Sequence, residues 1–470
     1  MEFKTFEEIM DYMGTFVNLE RATAGSSVST TSANTGSTST ISTSHESSTH
    51  SSNTPAAGNT LYNNRTYRLD RMRAIMQVLG NPQDSYKTVH VAGSKGKGST
   101  ASFIACALKA AGHRVGLYMS PHVSDYRERF TLCGRFVDDS TLIATGNDLF
   151  HRLEGFHFSD ALGKSSPTTF ELYTAYAFLL FKRLGCTWAI IETGLGGRLD
   201  ATNIITPQAS ILTPIELEHT DILGDTIEKI ATEKSKIIKK NIPSFSALQS
   251  ADALSVFRKE AKEQNSPFYY LGDFVTNITE NHIGFSDGYS WNCHLSMPGL
   301  VQAQNCALAL LAIRQLGLYI PQITEKALEQ NQLPGRMERI NWKRTLYLDG
   351  AHTKNSIKST ISTFRTLYPG HGGVCLFGSV TGKNHQEMAK EVLSAFDKIV
   401  ISRPGTFKKS DIQALYNLFK SLAKPNQIIA IYEDASDALS WCLKHTKPEE
   451  AILATGSFYL AGEVKNALCL

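Results

Sequence analysis

The stretch His90-Val-Ala-Gly-Ser-Lys-Gly-Lys-Gly-Ser-Thr100 joins an apolar strand to an alanine-rich helix. Its glycines at 93, 96 and 98 let the backbone adopt positive φ and bring N–H groups close to an anion, and the following helix adds its positive end. Lys97 can reach the outer phosphates of a nucleotide, and the hydroxyl of Ser99 can bind the accompanying magnesium. The stretch therefore predicts a phosphate-binding turn in a parallel α/β sheet.

The turn departs from the common phosphate loop, GxxxxGK[ST], at two positions. In that pattern a hydroxyl residue follows the lysine and a first glycine lies five residues before the second. Here Gly98 follows Lys97, and Val91 occupies the earlier position. Three interpretations stay open at this point: a nucleotide triphosphate site, a dinucleotide site and a merely structural glycine-rich turn.

The dinucleotide interpretation rests on Gly96, Gly98 and Ala101, which form GxGxxA between a strand and a helix. It requires an acidic residue about 20 positions further on, at the end of the next strand, to hold a ribose hydroxyl. The strand at 114–119 instead ends in Ser120-Pro121. The missing acid favours the nucleotide triphosphate.

The composition is that of an ordinary globular protein with more than one unit. The chain has 470 residues, of which 42% are hydrophobic and 19% charged, and such a length predicts at most about three units. A formal net charge of +3 gives no electrostatic reason to expect a nucleic acid or a membrane surface as partner. Small anionic substrates are compatible with it.

The 8 cysteines are scattered without a CxxC pair, so their spacing predicts neither a zinc site nor a disulfide framework. No apolar run reaches the length of about 18 residues that a membrane span needs, and the first residues lack the apolar core of a signal peptide. We therefore expect a cytoplasmic protein that neither spans a membrane nor is exported.

Residues 23–60 differ from the rest, because 25 of these 38 residues are Ser, Thr or Asn. Such a segment buries too little apolar surface to offset the entropy of ordering it, so we predict a disordered insertion. Amphipathic periodicity predicts one helix before the insertion, at 5–19, and another after it, at 69–79.

From residue 88 onward, short apolar strands alternate with helices, which is typical of an α/β fold with a parallel sheet covered on both faces. The predicted strands lie at 89–92, 114–119, 188–192 and 210–213, and the predicted helices at 99–111, 169–184 and 302–316. Beyond 330 the alternation restarts with strands at 345–348, 374–377, 398–402, 427–430 and 451–455. We predict two domains, 1–330 and a smaller Rossmann-like unit, 331–470.

Ligands of parallel sheets gather at the carboxyl ends of the strands. Glu192 closes an apolar strand, Glu216-Leu-Glu-His-Thr-Asp221 follows another, and the next predicted helix carries Lys234. We favour Glu192 as a magnesium ligand, since this ion takes oxygen ligands. By the same chemistry His219 is a polar loop histidine. Asp349, at a strand end in the second unit, fits a ribose contact and an Asp-Gly turn equally well.

Taken together, the motifs resemble the folylpolyglutamate synthase and dihydrofolate synthase branch of the Mur ligase superfamily, over nearly the whole chain except the insertion. The matching stretches are 79–82, 93–100, 120–129, 167–171, 192–203, 219–226, 334–336, 349–352 and 455–459. The segments 194–203 (GLGGRLDATN) and 120–129 (SPHVSDYRER) indicate the folate branch rather than the cell-wall branch.

The resemblance implies an N-terminal P-loop-type domain that binds ATP and folate, and a C-terminal ligase domain. Ser99 and Glu192 would hold one magnesium ion, while His219 and an N-carboxylated Lys234 would belong to a second metal and the γ-phosphate region. The implied catalytic residues are Lys97, His219 and Lys234. The implied ATP contacts are Gly93, Gly96, Lys97, Gly98, Ser99, Thr100, Asn305, Arg336, Asp349 and His352.

The resemblance also implies the acceptor site and the reaction. Ser120 and Arg127 would lie in a loop near the folate, and Phe170 and Asp200 would contact the pterin. The enzyme would be a monomer that adds L-glutamate to dihydropteroate or reduced folates through an acyl phosphate, with ATP converted to ADP and phosphate. Positioning and charge neutralisation would dominate the phosphoryl transfer.

The chain departs from the family pattern at several positions. Ser94-Lys95 replaces Thr-Asn in the phosphate loop, Thr353 replaces an asparagine, and 382–384 is a weaker version of the usual DKD. The insertion falls near the pterin end. Two other classes stay open: a cell-wall ligase that uses a UDP-muramyl substrate, and a non-catalytic ATP-binding protein, against which the lysine, hydroxyl and carboxylate together argue.

Overall fold

The computed structural model describes residues 2–17, 69–159, 162, 166–369, 372–406 and 408–468. The disordered insertion predicted at 23–60 lies outside the described residues, as does the end of the helix predicted at 5–19.

The helices and strands follow the predicted alternation closely. The helices are α1 (Phe6–Gly14), α2 (Leu69–Val78), α3 (Lys97–Ala110), α4 (Asp139–Arg152), α5 (Thr169–Arg183), α6 (Thr220–Leu223), α7 (Ile227–Ser235), α8 (Ala251–Glu263), α9 (Leu300–Gln315), α10 (Ile323–Glu329), α11 (Lys354–Leu367), α12 (His385–Ala395), α13 (Ile412–Leu422), α14 (Ala435–His445) and α15 (Phe458–Ala467). The strands are β1 (Lys87–Ala92), β2 (Val115–Tyr118), β3 (Phe130–Leu132), β4 (Trp188–Glu192), β5 (Ala209–Leu212), β6 (Ser244–Ser246), β7 (Phe268–Tyr270), β8 (Val275–Thr279), β9 (His282–Phe285), β10 (Ser290–Asn292), β11 (Glu338–Asn341), β12 (Thr345–Leu348), β13 (Gly373–Phe377), β14 (Lys398–Ser402), β15 (Ile428–Tyr432) and β16 (Ala451–Thr455).

The first sheet has the strand order β3-β2-β4-β1-β5-β6-β7, and every strand except β3 runs parallel to its neighbours. Val91 lies opposite Glu192, and Ala92 lies opposite Leu212, so β4, β1 and β5 end at the same edge. Successive side chains alternate between faces: Ile190 packs in the core cluster beside α3 and α9, and Ile191 packs in the cluster beside α5. The predicted parallel α/β fold is confirmed.

The second sheet has the order β11-β12-β16-β13-β14-β15, with only β11 antiparallel. The boundary predicted near 330 falls between α10 and β11 and stays a proposal. The sequence patterns did not predict β3, β6, β7 and β11, nor the small antiparallel sheet β10-β9-β8. Within the described ranges, no helix is long and apolar enough to cross a membrane.

A loop from the first unit packs into the second. Val123, which follows β2, belongs to the core cluster that contains Leu346 and Leu348 of β12. At Gly462 of α15 a Cβ would overlap the carbonyl oxygen of Val123, so only glycine allows this approach. The carboxylate of Glu128 fixes the loop by accepting the backbone N–H of Val123 at 2.7 Å. Apolar packing thus joins the two units beside the first sheet's carboxyl edge.

A buried ion pair ties α2 to α5. Arg71 donates from Nε to Glu171 Oε1 at 3.0 Å and from Nη2 to Glu171 Oε2 at 3.2 Å, and its side chain is 2% exposed. Its guanidinium also lies 3.9 Å from the centre of the Phe158 ring. Glu171 completes a capping box with Thr168 at the start of α5. This pair therefore holds the helix that carries Phe170.

We expect Arg71→Ala to lower the free energy of unfolding by about 3–5 kcal/mol, because it leaves the Glu171 carboxylate buried without its cation. Urea denaturation followed by circular dichroism measures the loss. Arg73→Ala is the matched control, since Arg73 pairs with Asp70 at 3.1 Å on the exposed side of the same helix and should cost less than about 1 kcal/mol. Equal losses in the two variants would contradict the assignment.

Candidate active site

A cleft with a volume of about 780 Å³ lies between the two sheets. The first unit lines it with residues that include 94–99, Ser120, Pro121, Glu192, Asp200, Glu218 and His219. The second unit contributes residues that include Arg336, Asp349, His352, Lys383 and Phe458. The carboxyl ends of both sheets therefore face one shared cavity, as parallel α/β sheets predict.

The phosphate-binding turn is held in place by glycine geometry and backbone bonds. Gly96 has φ +81°, and a Cβ there would overlap Oδ1 of Asn305 on α9. The N–H groups of Ser94 and Lys95 both donate to the carbonyl of Pro214 after β5, at 2.9 and 3.2 Å. These contacts fix the turn against α9 and against the segment that follows β5.

The positive φ expected at Gly98 is wrong. Because α3 begins at Lys97, Gly98 has helical backbone angles. A Cβ at this position would lie 3.4 Å from Oε2 of Glu192. The extra glycine therefore lets the first turn of α3 approach the carboxylate at the end of β4.

Buried oxygens surround the start of α3. The hydroxyls of Ser99, Thr100 and Thr193 are buried, and none has a hydrogen-bond partner in the described part of the chain. Glu192 is 4% exposed, accepts the N–H of Ser120 at 3.1 Å, and lies 4.0 Å from Lys97 Nζ. Burial raises the pKa of Glu192, and the charge of Lys97 opposes that rise. An unpartnered hydroxyl beside a buried carboxylate is the oxygen donor set that magnesium prefers.

The described residues contain no group of three or more His, Cys, Asp or Glu side chains that could hold a metal. Magnesium usually binds through one or two protein groups together with waters and substrate phosphates. Ser99 and Glu192 supply such a partial set.

Three lysines of the phosphate region meet one carboxylate that the sequence analysis quoted but did not single out. Glu218 Oε1 lies 3.1 Å from Lys234 Nζ, and Glu218 Oε2 lies 4.0 Å from Lys95 Nζ. Lys234 and Lys97 also donate to the carbonyl of Gly93, at 2.8 and 3.1 Å. The pair of acids Glu216 and Glu218 after a strand end was the signal in the sequence that pointed here.

The charges in this cluster shift several pKa values. Burial lowers the pKa of Lys234 to about 8 although Glu218 favours its charged form. Burial would raise the pKa of Glu218, but Lys234, Lys97 and Lys95 outweigh it and lower the value to about 2. His219, which has φ +48° before α6, has its pKa lowered to about 4 by burial and by Lys234 and Lys97. Its imidazole is therefore neutral at pH 7.

Residues of the second unit close the cleft from the opposite side. The Arg336 guanidinium lies 4.1 Å from the centre of the Phe458 ring. His352 contacts Gly350 O through Nδ1 at 2.8 Å, which leaves Nε2 to accept from Lys95 Nζ at 3.4 Å. Burial and the charge of Lys95 lower the pKa of His352 to about 3. Lys95 therefore links the two units directly.

Most hydrogen-bond acceptor positions of the Asp349 carboxylate are occupied by donors from its own unit. Oδ1 accepts from Ala351 N at 3.0 Å and Thr360 Oγ1 at 2.7 Å, and Oδ2 accepts from Met337 N at 2.9 Å. Since a carboxylate offers about four acceptor positions, about one remains for a ligand. Asp349 thus fixes the loop that carries Arg336.

The four residues predicted for folate are not all brought together. Ser120, Phe170 and Asp200 line the cleft, where a Cβ at Gly194 would overlap the Phe170 ring. Arg127 is not among the lining residues: it pairs with Asp125 at 2.6 Å and with Asp139 at 3.4 Å. Its predicted role stays a prediction.

Comparison with known families gives two matches. The Mur ligase middle domain matches residues 91–313, and the Mur ligase glutamate ligase domain matches residues 335–458. These ranges contain the two halves of the cleft.

Whole relatives are similar over most of the chain. The dihydrofolate synthase/folylpolyglutamate synthase of Bacillus subtilis is 32% identical over 414 residues, which cover 85% of this chain and 94% of that protein. The crystal structure of folylpolyglutamate synthase from Thermotoga maritima has a TM-score of 0.74 and 29% identity, covering 85% of this chain and 93% of that one. A structure described as an FPGS (folylpolyglutamate synthase)–AMPPCP–folate complex has a TM-score of 0.75 and 25% identity. The match covers 99% of this chain and 100% of that one.

We expect Gly96→Ala to weaken binding of a non-hydrolysable ATP analogue at least about tenfold. The new Cβ would displace Asn305, and positive φ disfavours a side chain. Isothermal titration calorimetry measures the affinity.

The matched control is Gly112→Ala, which follows α3 at φ +88° with nothing within 4 Å of the new Cβ. It should lower stability by about 1 kcal/mol and leave nucleotide affinity unchanged. Equal losses of affinity would show that backbone strain alone explains the effect and would contradict the contact at Asn305.

Proposed function

The chain belongs to the dihydrofolate synthase/folylpolyglutamate synthase family and is an ATP-dependent amide ligase, and we propose that it joins L-glutamate to the carboxylate of dihydropteroate or a reduced folate. The observation that carries the proposal is that Lys97, Ser99 and Glu192 line one cleft together with Phe170 and Asp200. One cavity therefore contains the groups for a phosphate site and for an aromatic site.

In the proposed reaction the acceptor carboxylate attacks the γ-phosphorus of ATP and ADP leaves. The amine of L-glutamate then attacks the resulting acyl phosphate, an amide bond forms and phosphate departs. Phosphoryl transfer needs positioning and neutralisation of charge rather than covalent help. Lys97 and the N-terminal end of α3 face the transferred group and supply both.

We assign Ser99 and Glu192 to one magnesium ion and His219 to the neighbourhood of a second. The donor chemistry fits, because the Ser99 hydroxyl has no hydrogen-bond partner among the described residues, Glu192 is buried and His219 is neutral. Magnesium, when bound, neutralises charge that develops on the phosphate oxygens. Glu192 stays oriented for this role through the N–H of Ser120.

We propose further that Lys234 is N-carboxylated in the active enzyme. Its amine attacks carbon dioxide, a carbamate forms and a proton is released. With a pKa of about 8, roughly a tenth of this amine is uncharged at pH 7 and able to react. Lys95 and Lys97 lie near enough to perturb the same cluster and would offset the new negative charge beside Glu218.

For the acceptor site, we propose that Phe170 packs on the pteridine ring and that Asp200 accepts its N–H groups, with Ser120 at the boundary to the phosphate site. Arg127 would join them only after its ion pairs with Asp125 and Asp139 open. The ATP contacts proposed for Asn305, Arg336, Asp349 and His352 are supported by their positions along the cleft.

Neither alternative function is favoured by an observation. The cell-wall branch shares the ATP site, but the relative that is 32% identical is a folate enzyme. A non-catalytic protein would have no need of Lys97, Ser99 and Glu192 at one strand edge. The monomeric state and the cytoplasmic location stay predictions of the sequence.

Glutamate-dependent ADP release, measured with dihydropteroate and separately with tetrahydrofolate, tests the function and identifies the acceptor. Lys97→Ala should lower kcat at least about a thousandfold, because the transferred phosphoryl group loses its nearest cation. Lys109→Ala, on the exposed end of the same helix, should retain activity. Near-normal turnover by Lys97→Ala would remove Lys97 from the mechanism.

Lys234→Ala should lose most activity and regain part of it when a short carboxylic acid such as acetate is added, since the acid replaces the carbamate. The wild-type enzyme should also lose activity in carbon-dioxide-free buffer and recover with bicarbonate. If neither addition restores activity, Lys234 acts as the ion-pair partner of Glu218 and the carbamate assignment is wrong.

A further inference from the structure

His90 is a motif residue that the reaction described above does not use. It lies within β1, three residues before Gly93, and is fully buried. Its Nε2 lies 2.8 Å from Thr202 Oγ1, and its Nδ1 has no partner within the described residues. Among the described residues, this core histidine beneath a phosphate-binding turn therefore makes one side-chain polar contact, with Thr202, two residues after Asp200.

The contact continues to Asp200. Thr202 Oγ1 lies 2.5 Å from Asp200 Oδ1, which also accepts the Thr202 N–H at 3.0 Å. Asp200 Oδ2 accepts the Leu195 N–H at 2.8 Å. Asp200 itself lines the cleft. A continuous chain of hydrogen bonds thus runs from the core of β1 to the cleft wall.

The number of hydrogen atoms available determines which group donates in each of these hydrogen bonds. An ionised carboxylate can only accept, so the single hydrogen of the Thr202 hydroxyl points to Asp200. The oxygen of Thr202 then has only lone pairs to offer His90, and His90 must donate from Nε2. Nδ1 is left as an unprotonated nitrogen, which agrees with its lack of a partner. The imidazole is neutral because burial and the charge of Lys239 lower its pKa well below the usual value.

We propose that His90 is a positioning residue of the acceptor site, which holds the Thr202 hydroxyl on Asp200 by donating to it from Nε2. The proposal rests on the function proposed above for Asp200. The opposite tautomer would turn the hydroxyl toward His90 and remove a donor from a carboxylate whose pKa burial already raises. A protonated Asp200 would present a hydrogen to the N–H groups of the pteridine. His90 therefore keeps Asp200 ionised and oriented as an acceptor.

The tautomer of His90 is directly measurable in the full-length enzyme labelled with ¹⁵N-histidine. We expect a neutral ring with hydrogen on Nε2 and an unprotonated Nδ1 between pH 6 and pH 8. His90→Gln identifies the signal by its disappearance among the 14 histidines. A ring protonated on Nδ1, or a charged ring in this range, would overturn the proposal.

The kinetic test removes only the bridging hydroxyl. Thr202→Val should raise KM for dihydropteroate, or for tetrahydrofolate if that is the acceptor, about tenfold, as expected for a lost hydrogen bond to a charged group. KM for ATP should change less than about twofold. Thr202→Ser should restore the wild-type KM. A general structural defect would instead raise both KM values and would not separate them.

Two further variants complete the test. Thr145→Val removes a buried hydroxyl that donates within α4, to Thr141 O at 2.8 Å, and should leave both KM values unchanged. Asp200→Asn should raise KM for the acceptor. If Asp200→Asn raises KM for the acceptor and Thr202→Val leaves it unchanged, the positioning role of His90 is wrong while the folate role of Asp200 stands. If Asp200→Asn has no effect, the proposed folate role of Asp200 fails first.

Discussion

Two lysine ammonium groups, those of Lys97 and Lys234, donate to one carbonyl oxygen, that of Gly93. Like charges so close together in a partly buried site repel each other strongly unless anions lie beside them. Glu218 and Glu192 supply part of that compensation. With Lys234 unmodified, the remaining positive charge favours phosphate at this end of the cleft, and after the carboxylation proposed above Lys97 and Lys95 supply that charge. Burial, together with the neighbouring lysine charges, lowers the pKa values of Lys234 and His219.

The sheet makes this concentration of charge possible. Because β4, β1 and β5 are parallel neighbours in register, Glu192, Gly93 and the segment 214–218 emerge at one edge. The second sheet points its own carboxyl edge at the same space, and Val123 packs in its core. The cavity is therefore formed by both sheets, and neither sheet alone supplies all the groups that phosphoryl transfer from ATP requires.

The sequence analysis succeeded where one local pattern determines one local structure. The bounds of β1, α3, β2, α5 and β4 were predicted within about two residues because apolar periodicity and caps are local signals, whereas β3 and α4 were not predicted. The role of Glu218, quoted only as part of a loop, was not predicted. That role depends on the lysines around the carboxylate, which are brought there by the fold. Arg127, whose folate role stays a prediction, forms an ion pair with Asp125 two residues away.

The sequence by itself determined the α/β alternation, the phosphate-binding turn, the family resemblance and the identity of most groups at the strand ends. Each of these follows from side-chain type and spacing along the chain. Only the tertiary structure decided that Gly98 is helical beside Glu192, that Lys95 meets His352 across the cleft, and that His90 reaches Asp200 through Thr202. Such contacts join residues far apart in sequence, and their geometry is set by packing of whole sheets and helices, which no local pattern encodes.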